Sequence, residues 1–260
     1  MSASSPPSFD LTGRVALVTG ATRGIGLAIA RALAAAGARI VVSSRKPEAV
    51  DEVVASMRAE GRDAFGIAAH VGHMDEARAL VDRTVEHFGT IDIVVNNAAT
   101  NPVYGPIAET TEELFDKIFA VNVKGPFEIA KRARPHMATR GRGAIINIAS
   151  IGGLSPETGL GVYSVSKAAL ISLTKATAKE WGGDGVRVNA IAPGFIKTHF
   201  SRALWTDDEV VRSVLAQQSI QRLAEPEEIA GAIVFLCSEH ASYTAGAAWS
   251  VDGGTVQVII

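Results

Sequence analysis

Short apolar runs alternate with amphipathic stretches along nearly the whole chain. The runs Val15–Val18, Ile40–Val42, Ala64–Ala69, Ile91–Val95, Ala144–Ile148, Val186–Ile191 and Ala247–Val251 predict strands. Between them, Ile25–Ala36, Ala49–Ala59, Asp75–His87, Pro126–Ala138, Val162–Trp181 and Pro226–Ser238 predict helices. Gly37 stops the first helix, and Pro226 with Glu227 and Glu228 suits the positive N-terminal end of the last. Thr110-Thr111-Glu112-Glu113 reads as a capping box, with Thr110 accepting from the Glu113 amide, and predicts a further helix to about Asn122. Strands spaced by helices of this length imply βαβ units and a parallel sheet. Right-handed crossovers then give a Rossmann-type, doubly wound, seven-stranded parallel sheet flanked by helices, with ligands at its C-terminal strand edge. No repeat or linker divides the pattern. One catalytic domain over residues 10–260 is expected, after a frayed Ser/Pro-containing tail over residues 1–9.

Composition narrows the class. Of the 260 residues 47% are hydrophobic and 20% charged, and the net charge is −2, so no global charge favours nucleic acid or an anionic membrane. No apolar run approaches the roughly 18 residues of a membrane span, and the N-terminus has no signal-peptide pattern. The single cysteine, Cys237, lies in the apolar run Ile233–Cys237 and is expected to be a small buried hydrophobe. A reducing, cytoplasmic setting follows as the expectation.

After the first strand comes Thr19-Gly20-Ala21-Thr22-Arg23-Gly24-Ile25-Gly26. Glycines at 20, 24 and 26 close a turn that opens a helix, and such a turn lets backbone amides meet a pyrophosphate. At the end of the second strand stands Val42-Ser43-Ser44-Arg45-Lys46, with no carboxylate to accept from ribose hydroxyls. Arg45 and Arg23 could instead clamp a 2′-phosphate, which points to NADP(H). The alternative is that Arg45 and Lys46 begin a solvated loop.

Tyr163-Ser164-Val165-Ser166-Lys167 places a phenol and an ammonium on one helix face. A neighbouring positive charge lowers a phenol's pKa from about 10 and fits it for acid/base work. Ser150 closes the fifth strand at the C-terminal sheet edge, where its hydroxyl could polarise a carbonyl or merely cap a turn. Asn122 sits in a helical stretch for which asparagine is a mediocre former.

Together these motifs resemble the single-domain branch of the short-chain dehydrogenase/reductase family. The likeness runs from about Leu11 to Gly254 and includes Asn96-Asn97-Ala98 and Pro193-Gly194 with Thr198. It implies a tetrad of Asn122, Ser150, Tyr163 and Lys167: Tyr163 as proton donor in reduction, Ser150 as carbonyl polariser, Lys167 on the nicotinamide ribose, and Asn122 on a water relay. It also implies cofactor contacts from Gly20, Thr22, Arg23, Gly24, Ile25, Gly26, Ser44, Arg45, Val71, Asn97, Ala98, Pro193, Gly194, Ile196 and Thr198, beside Tyr163 and Lys167, and no metal. Two positions depart from the family: Ala99 where glycine is usual, and His70 where aspartate usually meets the adenine. Within the family, Val41–Lys46, His70–Gly72, Phe200–Trp205 and Arg222–Tyr243 resemble NADPH-dependent carbonyl and retinal reductases of the dehydrogenase/reductase member 4 type. The resemblance implies a small carbonyl or alcohol substrate and a homotetramer or dimer built through the helices of Asn122 and Tyr163.

The substrate side is less defined. Phe195, Phe200, Leu204 and Trp205 could form an apolar lid or pack on the core, and Pro102 and Tyr104 could border the pocket. Lys131, Arg132, Arg134, Arg140 and Arg142 form a basic cluster that could dock a carrier protein, as in 3-oxoacyl-carrier-protein reductases, or simply face solvent. A non-catalytic NADPH-binding regulator is a further alternative on the same fold. A sugar-nucleotide epimerase or dehydratase fits less well, because it normally needs a larger C-terminal substrate lobe.

Overall fold

The structure, a computed structural model, describes residues 9–199, 201, 205, 208–216 and 218–256. Strands β1 (Val15–Thr19), β2 (Arg39–Ser44), β3 (Ala64–Ala68), β4 (Ile93–Asn96), β5 (Gly143–Ile148), β6 (Val186–Pro193) and β7 (Ala248–Val251) form one sheet. All neighbours pair in parallel in the order β3-β2-β1-β4-β5-β6-β7. The chain starts inside the sheet at β1, winds out to β3, then returns to place β4 on the other side of β1. That reversal opens a crevice at the C-terminal edge between β1 and β4.

Both faces of the sheet are buried, because its strands are apolar at successive positions. Ala16, Val18, Ile40, Val42 and Ile146 face α1 (Gly24–Ala35), α2 (Pro47–Ala59) and α8 (Pro226–Cys237), meeting Ile29, Leu33, Val50 and Ile233. Leu17, Val41, Val94 and Ile145 face α3 (Met74–Phe88) and α5 (Gly125–Thr139), meeting Leu80, Ile129 and Met137. Trp181, at the end of α6 (Gly161–Trp181), joins this second layer. Each such aliphatic side chain stabilises by about 1.5–3 kcal/mol on burial, so the layers hold the strand ends, and the site, rigidly.

Two local expectations are corrected. The N-cap of α4 (Glu112–Phe119) is Thr111, not Thr110: Thr111 Oγ1 accepts from the Leu114 amide at 3.2 Å. Thr110 is drawn back because its amide donates to the Ile107 carbonyl, closing a short turn over Ile107–Glu109. The predicted helix end near Asn122 is instead a widened helical turn, Ala120–Lys124, that joins α4 to α5. The stretch after β6, which shows no sheet pattern, contains α7 (Asp208–Leu215). Pro226 opens α8 as expected, with the Glu225 amide donating to the Glu228 carboxylate at 2.9 Å.

Candidate active site

The glycine turn is shaped by steric need. Gly20 has φ +65°, and a Cβ there would stand 2.8 Å from Asn97 Nδ2. A Cβ at Gly26 would come within 3.0 Å of both the Gly20 carbonyl oxygen and Asn97 Nδ2. Asn97 ties the turn to the loop after β4: its Nδ2 donates to the carbonyls of Thr19 (2.9 Å) and Gly20 (3.2 Å). Thr19 Oγ1 accepts in return from the amides of Asn97 (3.0 Å) and Ala98 (3.1 Å). A buried side-chain relay continues across the sheet, from Asn96 to Asn147 (2.9 Å) and from Asn147 to Thr174 (2.8 Å).

These contacts fit a dinucleotide. Helix α1 starts with no side-chain cap and no acidic residue in its first turn, so its amides point at the crevice uncompensated. Thr198, on the loop after β6, closes the opposite wall, its Cγ2 3.4 Å from where a Gly24 Cβ would be. Gly194 keeps that loop against β7: its amide donates to the Val251 carbonyl at 3.0 Å, and a Cβ would meet Asp252. Ile196 is buried behind it. Arg23 and Arg45 are exposed at the rim, and Thr22 and Ser44 are half-buried there. Val71 is buried, with its carbonyl where a Gly125 Cβ would fall. His70, which stands where the family usually has aspartate, is held in place by its neighbours. Its Nδ1 accepts from the Gly72 amide at 3.1 Å, its ring stacks on His73 at 4.4 Å, and burial, His73 and Arg45 hold its pKa below the ordinary histidine value.

The tetrad residues converge beyond this cleft. Lys167 is 2% exposed, and its Nζ donates to the Ile148 carbonyl at 2.7 Å and lies 5.6 Å from the centre of the Tyr163 ring. The Tyr163 and Ser150 hydroxyls are hydrogen-bonded. Ser150 also accepts from the Gly152 amide at 3.1 Å, so its hydroxyl caps the short turn that follows β5. Burial raises the Tyr163 phenol to about 12, opposed by the Ser150 bond and reinforced by the Glu157 charge. Burial also drives the Lys167 amine down to about 7. This revises the sequence expectation: within the protein alone, desolvation raises the phenol's pKa and keeps it protonated.

Asn122 is 1% exposed and its amide is committed: Oδ1 accepts from the Thr100 amide (2.9 Å), and Nδ2 donates to the Thr100 carbonyl and to Ser166 Oγ (both 3.0 Å). Ser166 Oγ donates to the Tyr163 carbonyl at 2.6 Å. Asn122 therefore stitches the loop after β4 to the helix that carries Tyr163. Sequence reasoning missed Ser166, although its i+3 spacing from Tyr163 puts it on the same face.

A cleft beside Tyr163 is lined by Asn101, Val103, Ile107, Glu109 and Leu114. Tyr104 borders it indirectly, through the Gly159 face that its ring covers, and Pro102 is exposed. Of the proposed apolar lid, Phe195 is half-buried and Trp205 Nε1 donates to the Thr198 carbonyl at 2.9 Å. Phe200 and Leu204 lie outside the described residues. Cys237 is buried, its thiol pushed up to about 12, as a structural residue should be. The basic cluster is spent on ion pairs: Lys131 with Glu128, Arg132 with Asp82, Arg134 with Asp184, and Arg140 and Arg142 with the buried Asp92.

A doubly wound sheet, a phosphate-type turn and a serine–tyrosine–lysine cluster at one strand edge define a nucleotide-dependent oxidoreductase. Comparisons with known proteins agree. Residues 20–256 match the family described as Enoyl-(Acyl carrier protein) reductase. The human dehydrogenase/reductase SDR family member 4 is 48% identical over 245 residues, covering 94% of this chain and 88% of its own. The human SDR family member 2, mitochondrial, is 43% identical over 243 residues, covering 94% and 86%. A gluconate 5-dehydrogenase from Burkholderia cenocepacia J2315, solved in complex with NADP and tartrate, superposes with a TM-score of 0.92 at 34% identity, covering 96% and 98%. The chain belongs to the short-chain dehydrogenase/reductase family. Among the described residues no helix is long and apolar enough to cross a membrane.

Proposed function

We propose that the protein is an NADP(H)-dependent carbonyl reductase or alcohol dehydrogenase, with Tyr163 as its acid/base. The observation that carries this reading is the buried cluster itself: one hydroxyl bonded to the phenol and one amine under its ring, beside an uncapped helix N-terminus. NADP(H), when bound, supplies or accepts the hydride. The turn from Gly20 to Gly26 would hold its pyrophosphate, Arg23, Ser44 and Arg45 its 2′-phosphate, Val71 and Ala98 its adenosine, and Pro193, Gly194, Ile196 and Thr198 its carboxamide. The Burkholderia relative was solved with NADP, and β2 here ends without a carboxylate, which supports NADP over NAD.

The residues divide the work by their environment. Ser150 donates to the substrate oxygen as negative charge gathers there. Tyr163, held protonated by burial, delivers its proton to that oxygen in the reductive direction. Lys167, poised near 7, orients the nicotinamide ribose and favours the phenolate after transfer. Asn122 spends both donors on Thr100 and Ser166, so a relay water would bond only its Oδ1.

The carrier-protein alternative has the family description behind it, but the cations that would dock an acidic carrier are already paired. A homotetramer or dimer fits Phe115 on α4 and Val165 on α6, both apolar and exposed on the helices expected at the interface. The cytoplasm suits the single buried cysteine, and fractionation checks it against the mitochondrial relative. The activity test is NADPH absorbance decay with a panel of diketones, aldehydes and quinones. Turnover of at least one ketone or aldehyde is expected. Tight NADPH binding without turnover across the panel would make the protein a regulator instead.

A further inference from the structure

Three side-chain hydrogen bonds fix the turn of α6 that carries Tyr163 and Lys167. The Tyr163 hydroxyl is bonded to Ser150, and Lys167 Nζ donates to the Ile148 carbonyl at 2.7 Å. Both partners lie at or just past the end of β5. Both bonds also use groups with a chemical duty, since Ser150 serves the substrate oxygen and Lys167 the ribose. The third bond comes from a different element, the widened turn Ala120–Lys124. Asn122 Nδ2 donates to Ser166 Oγ at 3.0 Å, and Ser166 Oγ donates to the Tyr163 carbonyl at 2.6 Å. Ser166 is fully buried and Asn122 is nearly so, which keeps water from competing for either bond. The far end of the same chain of bonds grips the substrate side. Asn122 holds Thr100 at both its amide (2.9 Å) and its carbonyl (3.0 Å). Asn101, the next residue, lines the cleft that Tyr163 also lines.

We propose that Ser166 is a positioning residue: its hydroxyl, acting through Asn122 and Thr100, sets where Tyr163 stands relative to the wall of the substrate cleft. This role rests on the oxidoreductase reading above and belongs to a residue that touches neither substrate nor cofactor. A serine hydroxyl has one proton and two lone pairs. Here the proton goes to the Tyr163 carbonyl and a lone pair takes the Asn122 proton, so one oxygen joins the tyrosine turn to the wall. Without that oxygen a buried Asn122 N–H loses its acceptor. The tyrosine turn then keeps only the Ser150 and Lys167 bonds, which substrate and cofactor compete for. A reacting group misplaced by about 1 Å can lose about a hundredfold in rate, so a loosened turn is read directly in catalysis.

The test compares Ser166→Ala with Ser166→Thr, which restores the hydroxyl, and with Ser164→Ala. Ser164 lies on the same helix, is equally buried and has no hydrogen-bond partner for its hydroxyl among the described residues. Single-turnover reduction of a ketone by NADPH is the first readout. Ser166→Ala should slow transfer by at least about tenfold and leave the Kd for NADPH within about twofold, whereas the other two variants stay within about threefold of wild type. In an Asn122→Ala background, Ser166→Ala should cost less than about twofold more, because the two act as one unit. Ser166→Cys, whose thiol bonds weakly, should fall between and replaces the alanine variant if that does not fold. The second readout needs neither cofactor nor turnover. The chain has three tyrosines, so 3-fluorotyrosine labelling gives a short 19F spectrum in which Tyr163→Phe assigns the signal of Tyr163. Ser166→Ala should shift or broaden that signal, leave the exposed Tyr104 and Tyr243 unmoved, and be reversed by threonine. Wild-type transfer in Ser166→Ala, or costs that multiply independently with Asn122→Ala, would overturn the positioning role. If the wild type itself reduces no ketone or aldehyde, the hydride-transfer reading falls. The 19F spectrum then decides alone, and an unmoved Tyr163 signal overturns the role of Ser166.

Discussion

Replacing Lys167 with methionine should change how stability depends on pH. The native amine releases its proton near 7, whereas the unfolded chain holds it to 10.5. Between those values the unfolded state carries the extra proton, so stability rises with pH across the interval. At about 1.4 kcal/mol per pH unit, the step from pH 7 to pH 9 is worth about 2–3 kcal/mol. The window stops at 9 because Cys237 adds an opposite slope above it: its native thiol is held to about 12 against an ordinary 9.0, so stability falls there as pH rises. Lys167→Met preserves the length and apolar stem, removes the buried amine and should flatten the slope. Urea denaturation of the cofactor-free protein at pH 7, 8 and 9 reads the effect. The wild-type midpoint should rise relative to the variant, and the variant should be the more stable at pH 7, where the amine costs most. Parallel curves for the two proteins would refute the claim that Lys167 is a desolvated, weakly basic amine.

Two other substitutions probe the cofactor cleft, and a third serves as their control. Arg45→Asp should turn the ratio of kcat/KM for NADPH over NADH toward NADH by at least about tenfold, since it removes a guanidinium partner of the 2′-phosphate and adds repulsion; an unchanged ratio removes Arg45 from the site. Gly26→Ala forces a Cβ into the Gly20 carbonyl and should cost about 1–3 kcal/mol and weaken NADPH binding, read by thermal unfolding and fluorescence titration. Gly231→Ala, in α8 with nothing within 4 Å of the new Cβ, should instead stabilise by about 1 kcal/mol and leave NADPH affinity unchanged. Identical effects from the two glycine changes would mean that the turn is not sterically specified.

Much of the fold was legible because helix and strand periods alternate cleanly and the strand runs are apolar on both faces. Val15–Val18 could hardly be read as anything but a central strand, and Gly24 and Gly26 mark the helix start beyond it. The candidate cluster was legible for the same reason: Tyr163 and Lys167 share a helical face by spacing alone, and Ser150 ends a strand. What escaped was tertiary. The cap of α4 moved by one residue because a preceding turn claims the Thr110 amide, a competition that pattern cannot weigh. Asn122 was expected on a water relay, but pattern could not show that its side chain bonds Thr100 and Ser166, one of them 22 positions away. The direction of the Tyr163 pKa was misjudged because sequence shows the neighbouring amine but not the depth of burial, which dominates. The basic cluster gave no hint of its partners, since Asp82 and Asp184 each lie 50 positions from their arginines.

The central claim is that the hydroxyl of Tyr163 gives up the proton that hydride transfer requires. Single-turnover reduction of a ketone by NADPH, with Tyr163→Phe against the wild type, addresses it with binding held constant. The account predicts an unchanged Kd for NADPH and a transfer rate lower by roughly 10²–10⁴-fold. A phenylalanine variant that transfers hydride within about threefold of the wild-type rate would contradict it, because effective general acid catalysis must be worth more than that.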